Sequence, residues 1–284
     1  MQHRFSTKPG RGRSASSSAL AAMLLASALP AAALRAQEPP APGTGPAAAP
    51  AAPPPPAAAD PLAEPRELVE SAANTKANLK RAIALYEERL QDSSLPAAAR
   101  ANGWADASRA WLRLGDLESQ ESERVRCYTA GREAAKKGLA IDANHVESQF
   151  WDMANLATTG RARGIMNSLF MLPELRGGLK RILQLDPHHA LAKQTLAEID
   201  HAVPGIAGGS DERAEKAYRE ILQRDPRFTS TMANLAKLYR DQGKKDEARQ
   251  WAKKLVGMTN PSNPNDFRKF DKAEGERVLA ELGP

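Results

Sequence analysis

The feature that most constrains this chain is a spacing of 34 residues between two similar helical segments near its C-terminal end. Ala214 and Ala248 occupy the same position in those segments, one interval apart. Asp225 and Pro226 end the first segment, because proline disfavours helical geometry in the residue before it. Gly243 ends the next helix, where a left-handed residue is favoured. A fixed period of this length indicates helical hairpins stacked side by side.

Small residues stand where the two helices of such a hairpin cross closely. Ala236 on the first helix and Ala248 on the second are positions where a larger side chain would push the pair apart. Leu235 and Tyr239, four residues apart, form one apolar stripe of the first helix. An ordinary antiparallel hairpin is the alternative, but the small, apolar, Gly and Pro positions share one register. The pattern therefore predicts an all-α, tetratricopeptide-like solenoid of about ten helices.

Related patterns extend upstream, so one elongated helical domain is predicted over residues 66–284. The positions that fit earlier helices are Ala82, Tyr86 and Leu90, then Trp104, Ala107, Trp111 and Gly115, then Gly131, Ala135 and Gly138. A longer connection is expected around residues 118–123. Pro187 and Pro226 are 39 residues apart, five more than the 34-residue period, and the loop at residues 204–209 contains the additional residues. Residues 267–282 are predicted to form a capping helix.

Residues 1–36 have the pattern of an export signal. Four basic residues precede an apolar run from Ala19 to Leu34, which at 16 residues is too short to span a membrane comfortably. We expect cleavage before Gln37 and no transmembrane segment afterwards. No cysteine follows the run, so we expect no lipid anchor. The mature chain is therefore predicted to be exported to the periplasm or another part of the envelope.

Residues 37–65 are predicted to be a Pro/Ala-rich linker, since 11 of the 21 prolines lie there. The formal charge of the whole chain is +6, but the signal carries five basic and no acidic residues. Its removal leaves 35 Lys and Arg against 34 Asp and Glu, which gives no support for nucleic-acid binding. The single cysteine, Cys127, excludes an intrachain disulfide and is expected to be buried.

Catalytic and metal-binding patterns are weak in this sequence. Four histidines remain after the signal: His145, His188, His189 and His201. No second cysteine and no paired-histidine zinc motif supports a metal site at residues 188–189. The glycine-rich loop at residues 205–209 lacks the Lys and Ser/Thr of a phosphate-binding loop. We expect no enzymatic activity, no cofactor and no metal.

Two sets of residues are candidates for binding. The first is a row of polar residues expected on the concave side of the first helices, where repeat proteins hold peptides or partner surfaces. Its members are Gln194, Glu198, Asn234, Lys237 and Arg240. The second set is apolar and is expected to be partly core and partly a pocket lining or an oligomer contact. Its members are Phe150, Trp151, Ile165, Met166, Leu169, Phe170 and Met171.

Residues 139–282 resemble the T component of TRAP-type transporters, the tetratricopeptide partner of a periplasmic solute-binding protein. The resemblance is carried by Phe150-Trp151, the sequence Leu172-Pro173-Glu174-Leu175, Leu185-Asp186-Pro187, the loop Pro204-Gly205-Ile206-Ala207-Gly208-Gly209, and Lys245-Asp246-Glu247-Ala248-Arg249. It implies an envelope-located helical protein that can form homo-oligomers and holds or passes an apolar small ligand. The best-known members of that family are lipid-anchored, and this chain lacks the cysteine that would carry the anchor.

Two functions fit these observations. The first is a non-enzymatic envelope adaptor that binds another envelope protein. The resemblance to transporter T components implies that this partner is a solute-binding protein. The alternative is a protein-protein interaction scaffold in envelope assembly with no transport role. A gene for a solute-binding protein or a permease beside this one would favour the first.

Overall fold

A computed structural model of the chain describes residues 60–71 and 75–283, and within those ranges the fold is all-α, without strands. Eleven α-helices follow one another along the chain. They are α1 Ala63–Glu70, α2 Lys76–Arg89, α3 Ala97–Asp116, α4 Glu121–Ile141, α5 Val146–Ala162, α6 Ile165–Leu185, α7 Ala190–Ala202, α8 Asp211–Arg224, α9 Thr229–Asp241, α10 Lys245–Val256 and α11 Lys272–Leu282. The predicted signal and most of the predicted linker lie outside the described residues.

Each helix packs against the next along the chain, as expected for stacked hairpins. Contacts also join alternate helices: α3 touches α5, α7 touches α9, and α9 touches α11. The predicted all-α solenoid is therefore confirmed at the level of architecture. No helix among the described residues is long and apolar enough to cross a bilayer.

The close crossing in the last hairpin is confirmed. Ala236 on α9 and Ala248 on α10 are completely buried. Gly243, between the two helices, has φ +76°, a conformation that costs other L-residues energy. Lys244 then donates its backbone N–H to the carbonyl of Tyr239 at 2.9 Å, which closes the helix end. The tight turn and the two alanines together let the hairpin backbones approach each other.

One local prediction differs from the structure. The connection expected around residues 118–123 is shorter, because α4 already begins at Glu121 and only residues 117–120 join it to α3. Helix α6 runs through Pro173 without a break. Pro173 lies on the exposed side of α6, and its missing N–H removes one intrahelical hydrogen bond.

The folded part also begins slightly before residue 66. Helix α1 starts at Ala63, and both Leu62 and Pro65 are buried. Leu62 belongs to a core cluster with residues of α2 and α3, including Leu79 and Leu90. The last residues assigned to the linker are therefore part of the domain.

The C-terminal segment caps the solenoid and also reaches its N-terminal helices. A single turn at Pro264–Asp266 leads through a π-helical turn, Phe267–Asp271, into α11, which packs on α9 and α10. The side chain of Asn265 donates to the carbonyl oxygen of Glu70 at 3.0 Å. The predicted capping helix is thus confirmed, and the residues before it connect the two ends of the described domain.

Candidate binding surfaces

The predicted polar row joins α7 to α9. Gln194 is completely buried, and its Oε1 accepts hydrogen bonds from the hydroxyls of Ser230 at 3.1 Å and Thr231 at 2.6 Å. Asn234 donates from Nδ2 to Oε1 of Glu198 at 2.6 Å. Gln194 Nε2 donates to the same Glu198 oxygen at 3.0 Å. These three predicted residues therefore lie together, but their polar atoms bond to one another between repeats.

The two basic members of the row lie further along α9. Arg240 pairs with Asp241 and with Glu281 of α11, both at 2.7 Å. Lys237 is partly buried near Asp271; burial raises the pKa of that carboxyl, and the charge of Lys237 offsets only part of the rise. The structure thus places most of the row in contacts between alternate helices, and binding of a partner there stays a prediction.

The predicted apolar set divides into a buried part and an exposed part. Phe150 and Trp151 are core residues of α5, with exposures of 1% and 3%. Their rings meet edge to face with centroids 5.1 Å apart, and the Phe150 ring also lies 4.9 Å from that of His189. Met171 is partly buried against the same core. Phe150 and Trp151 therefore fill the interior and do not form an open surface.

The exposed part of the set lies on the outer face of α6. Met166 and Phe170 have exposures of 61% and 79%, large for apolar side chains of this size. Pro173 and Gly177 continue the same stripe, at the spacing of neighbouring positions on a helix face. An added Cβ on Gly177 would meet no atom within 4 Å. These four residues are called the α6 face below.

Packing on α5 and one ion pair to α4 hold the helix that carries this face. Arg132 of α4 pairs with Asp152 of α5 at 2.7 Å and with Glu174 of α6 at 2.8 Å. The first turns of α6 lie close to α5, because a Cβ on Gly160 would come within 3.1 Å of the Met171 sulfur. Helix α6 is therefore held against α4 and α5 while its outer face is unpartnered within the described chain.

A charged cluster at the junction of the two domain ends was not predicted from the sequence. Arg109 of α3 is buried, with ion-pair distances of 3.4 Å to Asp106 and 3.6 Å to Glu70. Arg113, one turn on, donates to the carbonyl of Val69 at 2.7 Å. Burial and the neighbouring Arg109 lower the pKa of Arg113 to about 10. No local sequence pattern reveals this cluster, since it depends on contacts between distant segments.

Burial also raises the pKa of two carboxyls on the C-terminal segment, Asp266 and Asp271. Asp271 accepts a hydrogen bond from the Thr229 hydroxyl at 2.7 Å, which partly offsets the burial, and its pKa is about 6. These carboxyls belong to the interface between the segment and the helices it crosses. Ionisation of these buried carboxyls therefore disfavours the folded state, which makes the stability of that interface sensitive to pH.

The histidines are used in helix capping and in ion pairs. His145 and His189 cap α5 and α7, each accepting from a backbone N–H through Nδ1. His201 places Nδ1 2.7 Å from Asp211 and Nε2 3.1 Å from Asp241. Burial alone would lower the pKa of His201, but hydrogen bonds to the two carboxylates outweigh it and raise the pKa. Protonated His201 therefore connects α7, α8 and α9.

Cys127 is buried in α4, as predicted, and burial raises the pKa of its thiol, so it stays neutral at pH 7. Among the described residues, the α6 face is where two exposed apolar side chains, Met166 and Phe170, lie next to each other on one helix. The charged clusters lie in contacts between helices.

Neither comparison of the sequence with protein-family models nor comparison with curated proteins finds a match.

Proposed function

We propose that this chain is an exported, non-enzymatic helical-repeat protein that binds another protein of the cell envelope through the α6 face. The observation that carries the proposal is the exposure of Met166 and Phe170 side by side on a helix that packs on α5 and pairs with Arg132 of α4. Burying a side chain of this size contributes about 1.5–3 kcal/mol. Adjacent exposed apolar residues of this kind mark interaction sites more often than isolated ones do.

The α6 face supports binding better than the polar row does. A partner on the row would compete with hydrogen bonds that Gln194, Glu198 and Asn234 already make within the chain. Breaking such buried hydrogen bonds without replacement costs about 1–3 kcal/mol for each group. On the α6 face a partner displaces only water from Met166 and Phe170.

The resemblance to transporter T components supports an adaptor role, with a periplasmic solute-binding protein as the partner. In that role the protein binds its partner and, with it, an apolar small ligand, but transforms neither. Methionine suits such a contact because its flexible, polarisable side chain packs against varied surfaces. The export pattern at residues 1–36 supports the envelope location.

A capture experiment with matched variants tests the proposal. The tagged mature chain is incubated with an envelope extract of its own host, and captured proteins are identified by mass spectrometry. The variant Met166→Asp/Phe170→Asp should lose the principal partner. Gln223→Asp/Gln250→Asp, which adds the same two negative charges on the exposed sides of α8 and α10, should retain it.

Circular dichroism of both variants should match that of the wild type, because the substituted side chains are exposed. A partner captured equally by the wild type and by Met166→Asp/Phe170→Asp would contradict the α6 contact. Turnover of a substrate by the purified chain would contradict the non-enzymatic role.

A further inference from the structure

The segment between α10 and α11 joins the two ends of the described domain. Ser262 donates its backbone N–H to the carbonyl of Arg227 at 3.1 Å, which ties the segment to the turn before α9. Asn265, three residues on, donates from Nδ2 to the carbonyl of Glu70 at 3.0 Å. Residues 262–271 therefore reach from the α8–α9 turn to the end of α1, and they are called the clasp below.

The clasp supplies part of the cap of α1. The last carbonyl groups of a helix have no partner within that helix. In α1 the carbonyl of Val69 accepts from Arg113 of α3 at 2.7 Å, and that of Glu70 accepts from Asn265 of the clasp. Release of the clasp would therefore remove one of the bonds that hold the end of α1.

A π-helical turn, Phe267–Asp271, places two carboxyls of the clasp on one face. Asp266 and Asp271 are five residues apart, and a π-helix bonds residues five apart, so these two positions lie nearly above one another. An α-helix, at about 100° for each residue, would turn them about 140° away from each other. Both residues are buried, with exposures of 5% and 6%. This rare backbone therefore gathers two acidic groups in one buried contact.

The surroundings of Asp271 favour its neutral form. Burial raises the pKa of Asp271 to about 6. Asp266 and Glu274 of α11 add to the rise, while the Thr229 hydroxyl and Lys237 of α9 oppose it. A closed clasp therefore favours the protonated carboxyl, whereas an open clasp returns the group to water.

Asp266 faces basic groups, but they do not compensate for its burial. Burial raises the pKa of Asp266, and the opposing charges of Arg113, Lys269 and Arg109 are smaller effects. Other carboxyls share the charge of the two arginines. Those carboxyls are Glu70, Asp106 and Asp116. Ionisation of Asp266 therefore weakens the closed clasp in the same direction as ionisation of Asp271.

We propose that the clasp is a pH-operated closure, which holds the two ends of the solenoid together while Asp266 and Asp271 are protonated and releases α1 when they ionise. Lys237, a member of the polar row, faces Asp271, so the closed clasp crosses the side formed by the first helices. Opening changes access to that side while the helices stay folded. The clasp uses none of the α6-face residues, so it does not depend on the proposed partner.

The sign and the size of the effect follow for Asp271. Below pH 3.8 its carboxyl is protonated whether the clasp is closed or open, and closure is fully favoured. As the pH rises from 3.8 through about 6, ionisation stabilises the open clasp more than the closed one. The ratio of closed to open clasp should therefore fall about fiftyfold between pH 4 and pH 7.5 from this group alone.

Spin-label distance measurements on the mature chain test the clasp. Glu67→Cys on α1 and Phe270→Cys on the clasp carry the labels at exposed positions, and Cys127→Ala removes the native thiol. At pH 4 we expect one narrow distribution of the distance between the labels. At pH 7.5 a second population at longer distance should appear, while circular dichroism stays the same.

Three variants complete the test. Asp266→Asn/Asp271→Asn should keep the short distance at both pH values, whereas the control Asp246→Asn/Glu247→Gln, at exposed positions, should behave like the wild type. Asn265→Ala, which removes the bond to Glu70, should increase the population at longer distance.

Two results would overturn the proposal. The first is the same single distance at both pH values in the wild type and in Asn265→Ala. The second is a longer distance at pH 7.5 that persists in Asp266→Asn/Asp271→Asn or that is accompanied by loss of helical circular dichroism.

Discussion

Replacing Asp271 by Asn should stabilise the protein at neutral pH but have little effect in acid. Asp271 lies in the π-helical turn before α11 and is buried. Burial raises its pKa from 3.8 to about 6, and Asp266 adds to that rise, while the Thr229 hydroxyl and Lys237 oppose it. The folded state therefore favours the protonated carboxyl more strongly than the unfolded state does.

The sign and the pH window follow from this raised pKa. Below pH 3.8 the carboxyl is protonated in both states, and the stability linked to its protonation is fully present. That stability is lost as the pH rises through about 6, where the folded protein must ionise a buried group. A shift of about two pKa units corresponds to about 3 kcal/mol at pH 7.5. Asn keeps an oxygen that accepts from Thr229 and removes the charge.

Urea unfolding of Asp271→Asn and wild type, followed by circular dichroism at pH 4 and pH 7.5, measures the effect. We expect the variant to be more stable by up to about 3 kcal/mol at pH 7.5 and nearly equal at pH 4. Asp246→Asn is the control, because the Asp246 side chain is 99% exposed and should change stability by less than about 0.5 kcal/mol. A loss of stability at pH 7.5, or the same difference at both pH values, would refute the reasoning.

Three further predictions concern other parts of the chain. Ala248→Leu should destabilise the fold by about 1–3 kcal/mol, because it overpacks a completely buried position. The control Glu247→Ala, at an exposed position, should change the stability by less than about 0.5 kcal/mol. Equal urea midpoints for Ala248→Leu and wild type would count against the assignment of Ala248 to the helix crossing. His201→Gln should be less stable than wild type below pH 6.5, and the stability difference should shrink as the pH rises through the raised pKa of His201. If urea denaturation shows the same stability difference across that pH range, the ion pairs of His201 are not the cause of the difference. The chain purified from its host should begin at or near Gln37 by mass analysis, and an intact Met1 would exclude export by the predicted signal.

The helices of the last hairpin were predictable because their signals are local. Pro226 and Gly243 act on their own backbone, and Ala236 and Ala248 mark the crossing through residue size alone. Accordingly, α8 ends at Arg224, directly before Asp225, and α9 ends at Asp241, two residues before Gly243. Such signals depend on chain neighbours, so they can be read without knowledge of the tertiary structure.

The character of the binding candidates was less predictable, because it depends on which residue meets which across repeats. Helical spacing put Gln194 and Asn234 on one side of their helices, and that side is where α7 contacts α9. Met166 and Phe170 have the same apolar character as Phe150, and only the position of α6 at the outside separates them. Arg109 and Asp266 are brought into one region by contacts between the ends of the domain, which no periodic pattern encodes.

The central claim is that this protein recognises its partner through the α6 face. Titration calorimetry with the captured partner tests it most directly, using the wild type, Met166→Asp/Phe170→Asp and Lys237→Glu/Arg240→Glu. The account predicts that the α6 variant loses binding at least tenfold while the charge-reversal variant of the polar row binds like the wild type. Full affinity in the α6 variant together with loss of binding in the charge-reversal variant would contradict it and assign recognition to the polar row.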